Sequence, residues 1–378
     1  MPELTALPYD GDVTAIAELI GDASIVAIGE NNHHIHEFGM LRDRLLRHLV
    51  EDRGFTVLGF EGGFPEGFLV DAWLRGAPGD VADVGRDGFT FSLGDSPEVH
   101  AMLTWLRGRG VRFAGLDVPS SAGSPMPSLR AIHALAPSLV DAAIEACAPY
   151  SSVSSAVAPG RYAALDEEVR DAATEALTVL KKHLADADGI VRHHVEGALS
   201  IDTYLRELNA MMSGAATGTS ARDDYMAATV RLLRDQYPGQ KIVLMLHNGH
   251  LQRVPFSPMP GMAAPSAGTH LAAEFGDDYF ALALTAVSGS TTGLAPDEHE
   301  RLGFRVYEQA LEEPTPGGIE AVLAGEAPCL VDLRPSRGGT GPDSIRHAHL
   351  ASPVDVAAAF DAVVCLKGQE TIFRLITD

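Results

Sequence analysis

Four apolar runs in this chain end in side chains that can bind or transfer a proton. The runs read SIVAIGE, FTVLGFE, VRFAGLD and KIVLMLH, and their last residues are Glu30, Glu61, Asp117 and His247. Short, uninterrupted apolar runs are typical of strands buried on both faces of a parallel sheet. Because ligands of open α/β sheets bind outside the carboxyl ends of the strands, these four side chains are predicted to meet in one cleft. Acid–base catalysis is the chemistry that such a set suits.

Two of these residues, Glu30 and Glu61, are expected to act as a pair of carboxylates. Carboxylates held close together raise one another's pKa, which yields an acid or base useful near neutral pH. The alternative is that both side chains only cap helices or accept backbone amides. Because four separate apolar runs end in residues that can bind or transfer a proton, a catalytic role is favoured.

The turn after the first run is rich in histidine. It reads GENNHHIHE from Gly29 to Glu37 and carries His33, His34 and His36. Turns between a strand and a helix of an α/β sheet are short and face the cleft, so these imidazoles are candidate site residues. A solvated turn is the simpler alternative for three histidines so close together.

The helix predicted from about Glu37 to Val50 places an arginine on its buried side. Its apolar stripe consists of Phe38, Leu41, Leu45, Leu46 and Leu49. Arg42 falls within this stripe, where an unpaired guanidinium would be very costly, so a carboxylate partner is expected. Glu30 and Glu61 are the candidates. The alternative is that Arg42 lies at the margin of the stripe and reaches solvent along its aliphatic stem.

A second histidine pair follows the fourth run. His247 and His250 are three residues apart in HNGH, where Gly249 permits a tight turn. Such a pair can supply a general base and a second donor, or it can bind zinc. The other histidines outside the two clusters lack this context and are predicted to be structural or at the surface. Seven of them are His100, His133, His183, His193, His194, His347 and His349.

The elements that must position these residues predict an α/β fold. Strand and helix patterns alternate from about Thr14 to Pro119, and DYFALALTAVSG and APCLVDLRP predict further strands. The region 127–237 carries only helical patterns. We therefore expect a single α/β domain over residues 1–378, with a mostly parallel central sheet flanked by helices and a large helical insertion at about 127–237. This insertion is expected to cover the cleft and to line it with Tyr204, Met211, Met212 or Tyr225.

Composition limits the partners. The net charge of −23 would repel nucleic acid and anionic membranes, and no apolar stretch approaches the roughly 20 residues that span a bilayer. The N-terminal segment lacks a basic region followed by an apolar core, so no secretory signal is predicted. Cys147, Cys329 and Cys365 suit reduced core thiols. A cytoplasmic protein that acts on a small molecule is expected.

Several motifs in their order resemble the erythromycin esterase family, which includes erythromycin esterase-like and succinoglycan biosynthesis-type hydrolases. They are GENNHHIHEF with a downstream Arg, FEGG, GLDV, RDDYMAATV, LHNGHLQR and GTHLAAEFGDDYFALAL, from about Ile25 onwards. The resemblance implies a hydrolase of the kind that opens the macrolactone of 14-membered macrolides, in antibiotic resistance or biosynthesis, and either metal-dependent or metal-independent. It assigns the role of general base to His33.

The same resemblance implies that Glu30 orients His33 or the attacking water. Glu61, Arg42, His247 and His250 match the remaining polar residues of the cleft. Asp117, Arg222 and Asp223 match recurrent positions that hold the cleft together, and Tyr225 lies in the same stretch as a candidate for substrate contact. His34 and His36 are further candidates for substrate binding. The turn departs from the common Gly-Glu-x-Thr/Ser-His-Gly, since Asn32 precedes His33 and His34 replaces the final glycine.

Three hypotheses follow. The first is an esterase or lactonase in which His33 activates water and Arg42 or a histidine stabilises the oxyanion, since no G-x-S-x-G elbow supplies a serine nucleophile. The second is a metallohydrolase in which a histidine of the turn joins His247, His250 and a carboxylate around zinc or manganese. The third is a ligand-binding protein without turnover. A biosynthetic member could use the same groups for cyclisation, elimination or acyl transfer. No cofactor is predicted, although a divalent metal is possible.

Overall fold

A computed structural model describes residues 4–215, 218–257, 262–297 and 299–373. The strands are β1 (Ala6–Pro8), β2 (Ile25–Ile28), β3 (Phe55–Gly63), β4 (Arg112–Asp117), β5 (Lys241–Met245), β6 (Tyr279–Pro296), β7 (Phe304–Ala310), β8 (Cys329–Asp332), β9 (Ser344–His347), β10 (Leu350–Pro353) and β11 (Ala362–Gln369). The helices are α1 (Thr14–Ile20), α2 (His36–Arg53), α3 (Phe64–Leu74), α4 (Val81–Gly88), α5 (Pro97–Leu106), α6 (Met126–Ile132), α7 (Pro137–Cys147), α8 (Ala158–Ala163), α9 (Glu167–His183), α10 (Gly189–Met212), α11 (Ala221–Gln236), α12 (Asn248–Leu251), α13 (Ala267–Phe275), α14 (Ile319–Val322) and α15 (Val356–Ala359).

The central sheet is mostly parallel, as predicted. Its strand order is β1-β8-β11-β6-β2-β5-β3-β4, and β7 pairs with β6. Five neighbouring pairs, from β11-β6 to β3-β4, are parallel, whereas β1-β8, β8-β11 and β6-β7 are antiparallel. β2, β5, β3 and β4 are adjacent in the sheet. The polar residues at their carboxyl ends therefore lie side by side, at the edge of the sheet that these ends form.

The sheet is covered by helices on both faces, which explains the uninterrupted apolar runs. In β2, Val26 and Ile28 face a core that includes the apolar stripe of α2, whereas Ile25 and Ala27 face a core formed with α11 and α13. The stripe of α2 is buried, and Gly54 ends this helix in the left-handed conformation with its N–H bonded to Leu49 O. The sheet and its helices therefore form a rigid support for the turn at Glu30.

The segment from α6 to α11 consists of helices joined by loops within its described residues. These helices bury an apolar core of their own, and α11 also packs against β4 and α13. α11 thus carries residues of this segment to the edge of the sheet. That the whole chain forms a single domain stays a prediction. Within the described residues, no helix has the length and apolar character needed to cross a bilayer.

Candidate active site

The turn after β2 holds a histidine and a carboxylate in direct contact. Glu30 Oε1 lies 2.9 Å from His33 Nδ1 and 2.7 Å from Arg42 Nη1. Arg42 is buried and stacks over Phe60 at 5.2 Å, so the expected carboxylate partner is Glu30 and the solvent-reaching alternative is wrong. Gly29 is required here, because a Cβ would lie 2.0 Å from Asn248 Oδ1. Glu30, His33 and Arg42 therefore form one unit, in which His33 Nε2 is turned towards Glu61.

The electrostatics of this unit differ from the prediction. Burial alone raises the pKa of Glu30, but the charge of Arg42 and the hydrogen bond with His33 outweigh it, and the net pKa is lowered. Burial alone lowers the pKa of His33, but the charges of Glu61 and Glu30 raise it above its usual value. The expectation that Glu30 and Glu61 raise each other's pKa is wrong, because each carboxylate has its own cationic partners.

A second histidine–carboxylate pair stands across the cleft. His250, on α12, has its Nδ1 2.8 Å from Asp223 Oδ1 on α11, and the same oxygen accepts the N–H of Ala267 at 2.9 Å. Burial opposes the charged form of His250, but Asp223 and Glu61 raise its pKa. This pair joins the helical segment to the sheet edge.

Glu61 lies between the two pairs. Its Oε1 is 3.7 Å from His33 Nε2, 3.5 Å from His250 Nε2 and 3.3 Å from Arg222 Nη2. Its Oε2 accepts the backbone N–H of His247 at 2.6 Å. Burial raises the pKa of Glu61, but His250, His33 and Arg222 together lower it to about 2. Glu61 is therefore a permanent anion facing two imidazole nitrogens.

Arg222 and Asp117 form a buried ion pair beside Glu61. Arg222 Nε lies 2.9 Å from both carboxylate oxygens of Asp117, and its Nη2 lies 2.5 Å from Oδ2. The Arg222 guanidinium also lies 5.5 Å from the ring centre of Phe91, whose ring stacks with His33 at 6.2 Å. Asp117, at the end of β4, thus anchors α11 to the sheet. Phe91 was missed by sequence reasoning because nothing in its neighbourhood marks it.

A cluster of imidazoles extends the site beyond the predicted set. His247 accepts the N–H of Gly249 at Nδ1, 3.2 Å away, and its ring is 4.3 Å from that of His347. Burial and the neighbouring histidines hold the pKa of His247 well below its usual value and lower that of His347 to about 4. His347, at the end of β9, was predicted to be structural or at the surface. This prediction is wrong, because β9 brings the residue to the cleft.

A cavity of about 250 Å³ opens beside this cluster, and we call it the front cavity. Its described lining residues are Tyr204, Leu208, Met211, Gly218, Thr219, Arg222, Asp223, His250, Phe256, Met262, Ala263, Ala264, Pro265 and His347. Tyr204 and Met211 line it as predicted, whereas Met212 is 70% exposed. The prediction that Tyr225 lines the cleft is wrong, because its ring stacks on His193 at 4.2 Å inside the helical core.

His34 and His36 are not among the described residues that line the front cavity. His34 is buried with φ of 63°, in the left-handed region that favours glycine, and burial together with the neighbouring His33 lowers its pKa to about 4. His36 begins α2, and its Nδ1 lies 2.5 Å from Glu98 Oε1. The site thus brings together Glu30, His33, Arg42, Glu61, Asp117, Arg222, Asp223, His247 and His250, and leaves His34, His36 and Tyr225 outside.

The histidine-rich turn is held by residues from the far end of the chain. Ile372 N donates to His34 O at 3.0 Å, and Ala348 N donates to Asn31 O at 2.7 Å. The Asn32 side chain donates to Thr291 Oγ1 at 2.9 Å. These bonds fix a loop that would otherwise be free to move.

The groups around Glu61 do not suit a divalent metal ion. The guanidinium of Arg222 already lies 3.3 Å from the oxygen that His33 and His250 face, so a second cation there would meet its charge. Among the residues that the structure describes, no three His, Cys, Asp or Glu side chains form a metal-binding group.

Comparisons with known proteins agree with these motifs. The sequence profile of the family described as Erythromycin esterase matches residues 50–368. Erythromycin esterase type II of Escherichia coli is 30% identical over 345 residues, which cover 84% of this chain and 81% of that protein. Erythromycin esterase type I of Escherichia coli is 27% identical over 401 residues, which cover 95% of each protein.

A solved structure has the same fold. A mutant of erythromycin esterase EreC in its open conformation has a TM-score of 0.83 at 23% identity, covering 95% of this chain and 94% of that one. The profile spans most of the chain, and the type II enzyme is similar over more than four-fifths of its length. This chain belongs to the erythromycin esterase family.

Proposed function

We propose that this chain is a carboxylic-ester hydrolase that opens an ester or lactone of a bulky, macrolide-like molecule with water activated by a histidine. The observation that carries the proposal is the pair of imidazoles, each held by a carboxylate at Nδ1, whose Nε2 atoms face the same oxygen of Glu61. Membership of a family of esterases supports the substrate class. The Tyr204 and Met211 side chains give the front cavity an apolar wall suited to such a molecule.

His33 is the proposed general base. Its Nδ1–H is oriented by Glu30, which Arg42 holds in turn, so its Nε2 is the basic nitrogen. Nε2 takes a proton from water while the water oxygen bonds to the carbonyl carbon. When the bond between that carbon and the leaving oxygen breaks, the same proton passes to the departing alkoxide. Glu61 stabilises the imidazolium that forms between these two steps.

The oxyanion is proposed to be stabilised by Arg222 and His250. Both line the front cavity, and the raised pKa of His250 keeps it a donor. Of the two donors expected from the sequence, Arg42 or a histidine, the histidine is preferred here, because Arg42 binds Glu30 on the side away from the front cavity and is not among its described lining residues.

His250 is a second candidate for the base. It lines the front cavity, whereas His33 is not among its described lining residues. Its arrangement with Asp223 repeats that of His33 with Glu30. If His33 is the base, His33→Ala should abolish proton abstraction. If His250 is the base, His250→Ala should do so.

The test of the proposal is mass spectrometry of reactions with a panel of macrolides and simpler lactones. Hydrolysis adds one water to the substrate mass. A product of unchanged mass would instead indicate an isomerisation such as eliminative ring opening, and the loss of one water would indicate dehydration or ring closure. Binding without any product at high enzyme concentration would support a ligand-binding protein and refute the proposal.

A further inference from the structure

A second polar cluster lies on the far side of Arg42. A cavity of about 40 Å³, which we call the rear cavity, lies between α2 and α5 and shares no described lining residue with the front cavity. Its lining residues are Glu30, His34, Ile35, Gly39, Arg42, Phe60, Leu93, Ser96, Glu98, Val99, Met102 and Met245. Glu30 and Arg42 thus connect this cavity to His33.

Arg42 has hydrogen-bonding capacity that nothing in the described chain uses. Its Nη1 binds Glu30, but Nε and Nη2 are buried and have no partner among the described residues. A buried donor left unpaired destabilises the folded state, and more so when the group is charged. Since Arg42 lines the rear cavity, an acceptor within it would remove that cost.

The wall opposite Arg42 offers acceptors. Glu98 is fixed by His36 Nδ1 at Oε1 and by Ser96 Oγ at Oε2, both at 2.5 Å. A carboxylate has about four lone-pair sites, so two bonds leave further capacity. The close approach of α5 to α2 requires Gly39, because a Cβ there would lie 2.9 Å from Glu98 Cβ and Cγ. A third polar atom of the wall, His34 Nδ1, is buried and unpaired in the described chain.

The size of the rear cavity and the charges of its lining residues determine which molecule can occupy it. The volume of about 40 Å³ is sufficient for one or two water molecules. A cation could not accept the N–H groups of Arg42. An anion would meet two carboxylates, Glu30 and Glu98, against one guanidinium. Water is neutral, accepts from Arg42 and donates to a carboxylate, and three polar partners are typical of a buried water.

We propose that the rear cavity is a binding site for an internal water that links Glu98 to Arg42, and that Glu98 is thereby a positioning residue for the catalytic histidine. This inference rests on the proposed function, in which His33 acts as the base. Glu98 orders the water, the water fixes the guanidinium, and the guanidinium fixes Glu30. The imidazole of His33 then points its Nε2 at the attacking water.

The first test is direct. A high-resolution crystal structure of the wild-type protein is expected to contain an ordered water within hydrogen-bonding distance of Arg42 Nε or Nη2 and of Glu98. A rear cavity without such density, or one filled by a rearranged side chain, would overturn the site whatever the reaction is.

The second test separates positioning from folding. Glu98→Ala is expected to lower kcat about ten-fold or more while KM changes less than two-fold, because small displacements of a catalytic group slow chemistry far more than binding. Glu98→Gln keeps an acceptor oxygen and is expected to restore most of kcat. Asp95→Asn, at an exposed position two residues before α5, is the matched control and should behave as wild type.

The positioning role of Glu98 and the proposed function are refuted by different results. Wild-type kcat in Glu98→Ala, or equal losses in Glu98→Ala and Glu98→Gln, would refute the positioning role while His33→Ala remains inactive. Full activity of His33→Ala would refute the proposed function instead. If Glu98→Ala does not fold, Glu98→Gln and the crystal structure still decide.

Discussion

The two histidine–carboxylate pairs beside Glu61 are alike in geometry but different in origin. His33 and Glu30 lie three residues apart in one turn and rest on Arg42 of the adjoining α2. His250 and Asp223 come from α12 and α11, so their contact joins the sheet edge to the helical segment. The first pair is a local unit. The second depends on how the helical segment sits against the sheet.

This difference assigns distinct tasks. A base needs fixed geometry, which a turn held by a buried arginine provides. A donor that meets the substrate benefits from a position in the wall of the front cavity, where His250 lies. Any shift of α11 would move Asp223 and Arg222 together and leave Glu30 and His33 in place. We therefore expect the local pair to determine proton transfer and the bridging pair to determine substrate engagement.

The largest expected effect comes from removing one imidazole at a time. His33→Ala should lower kcat by about two to four orders of magnitude, the range for losing an acid–base group. His250→Ala should raise KM as well as lower kcat, because it removes a contact in the cavity wall. Steady-state kinetics on any hydrolysed lactone measure both. A larger kcat loss in His250→Ala than in His33→Ala would exchange the two roles.

Arg222→Met should cause the largest loss of stability. It leaves Asp117, which is fully buried, without its cation and removes one of the cationic partners of Glu61. Breaking such a buried pair costs about 3–5 kcal/mol, to be measured by urea unfolding. Arg206→Met, which removes an ion pair between exposed side chains, is the control and should cost at most about 1 kcal/mol. Similar losses in both variants would mean that Arg222 does not anchor the helical segment.

The pH dependence of kcat in Glu30→Gln and Asp223→Asn distinguishes the two histidine–carboxylate pairs. Glu30 raises the pKa of His33, so its neutral replacement should lower that pKa and shift the acidic limb of the kcat profile to lower pH. The rate at the plateau should still fall about ten- to hundred-fold, because the imidazolium loses its partner. Asp223→Asn should leave this limb in place. A shift in Asp223→Asn and none in Glu30→Gln would identify His250 as the base.

The smallest expected effect is that of chelation. Because Arg222 already compensates Glu61, treatment with EDTA should leave kcat within about two-fold of the untreated value. Activity assays before and after dialysis against chelator measure this. Loss of activity that zinc or manganese restores would support the metallohydrolase hypothesis.

The sequence indicated those residues of the candidate site that lie at the ends of strands. The runs that end near Glu30, Glu61, Asp117 and His247 became β2, β3, β4 and β5, which are adjacent in the sheet. Arg42 was predictable because a charge within a buried stripe needs a partner. The sequence showed neither which partner each carboxylate would find nor that both glutamates would have lowered pKa values.

The remainder depends on tertiary contacts. His347 lies on β9, which pairs only with β10 outside the central sheet, and no periodic pattern marked it. Tyr225 and Arg222 are three residues apart on α11, yet one faces the helical core and the other the cleft. An amphipathic pattern gives the faces of a helix but not the neighbour that each face meets. β11 was likewise not predicted, although it binds the parallel part of the sheet to β8.

The hydrogen bonds between the histidine-rich turn and residues near β11 determine when the site can form. Asn31 Nδ2 donates to Gln369 Oε1 at 2.9 Å, across 338 positions of sequence. A ribosome would release the residues of the turn long before β11 is made, so His33 would wait for its geometry until β11 has been synthesised. During refolding, we expect esterase activity to return after helical circular dichroism has recovered. Enzymatic turnover would then report the formation of this contact between the turn and β11.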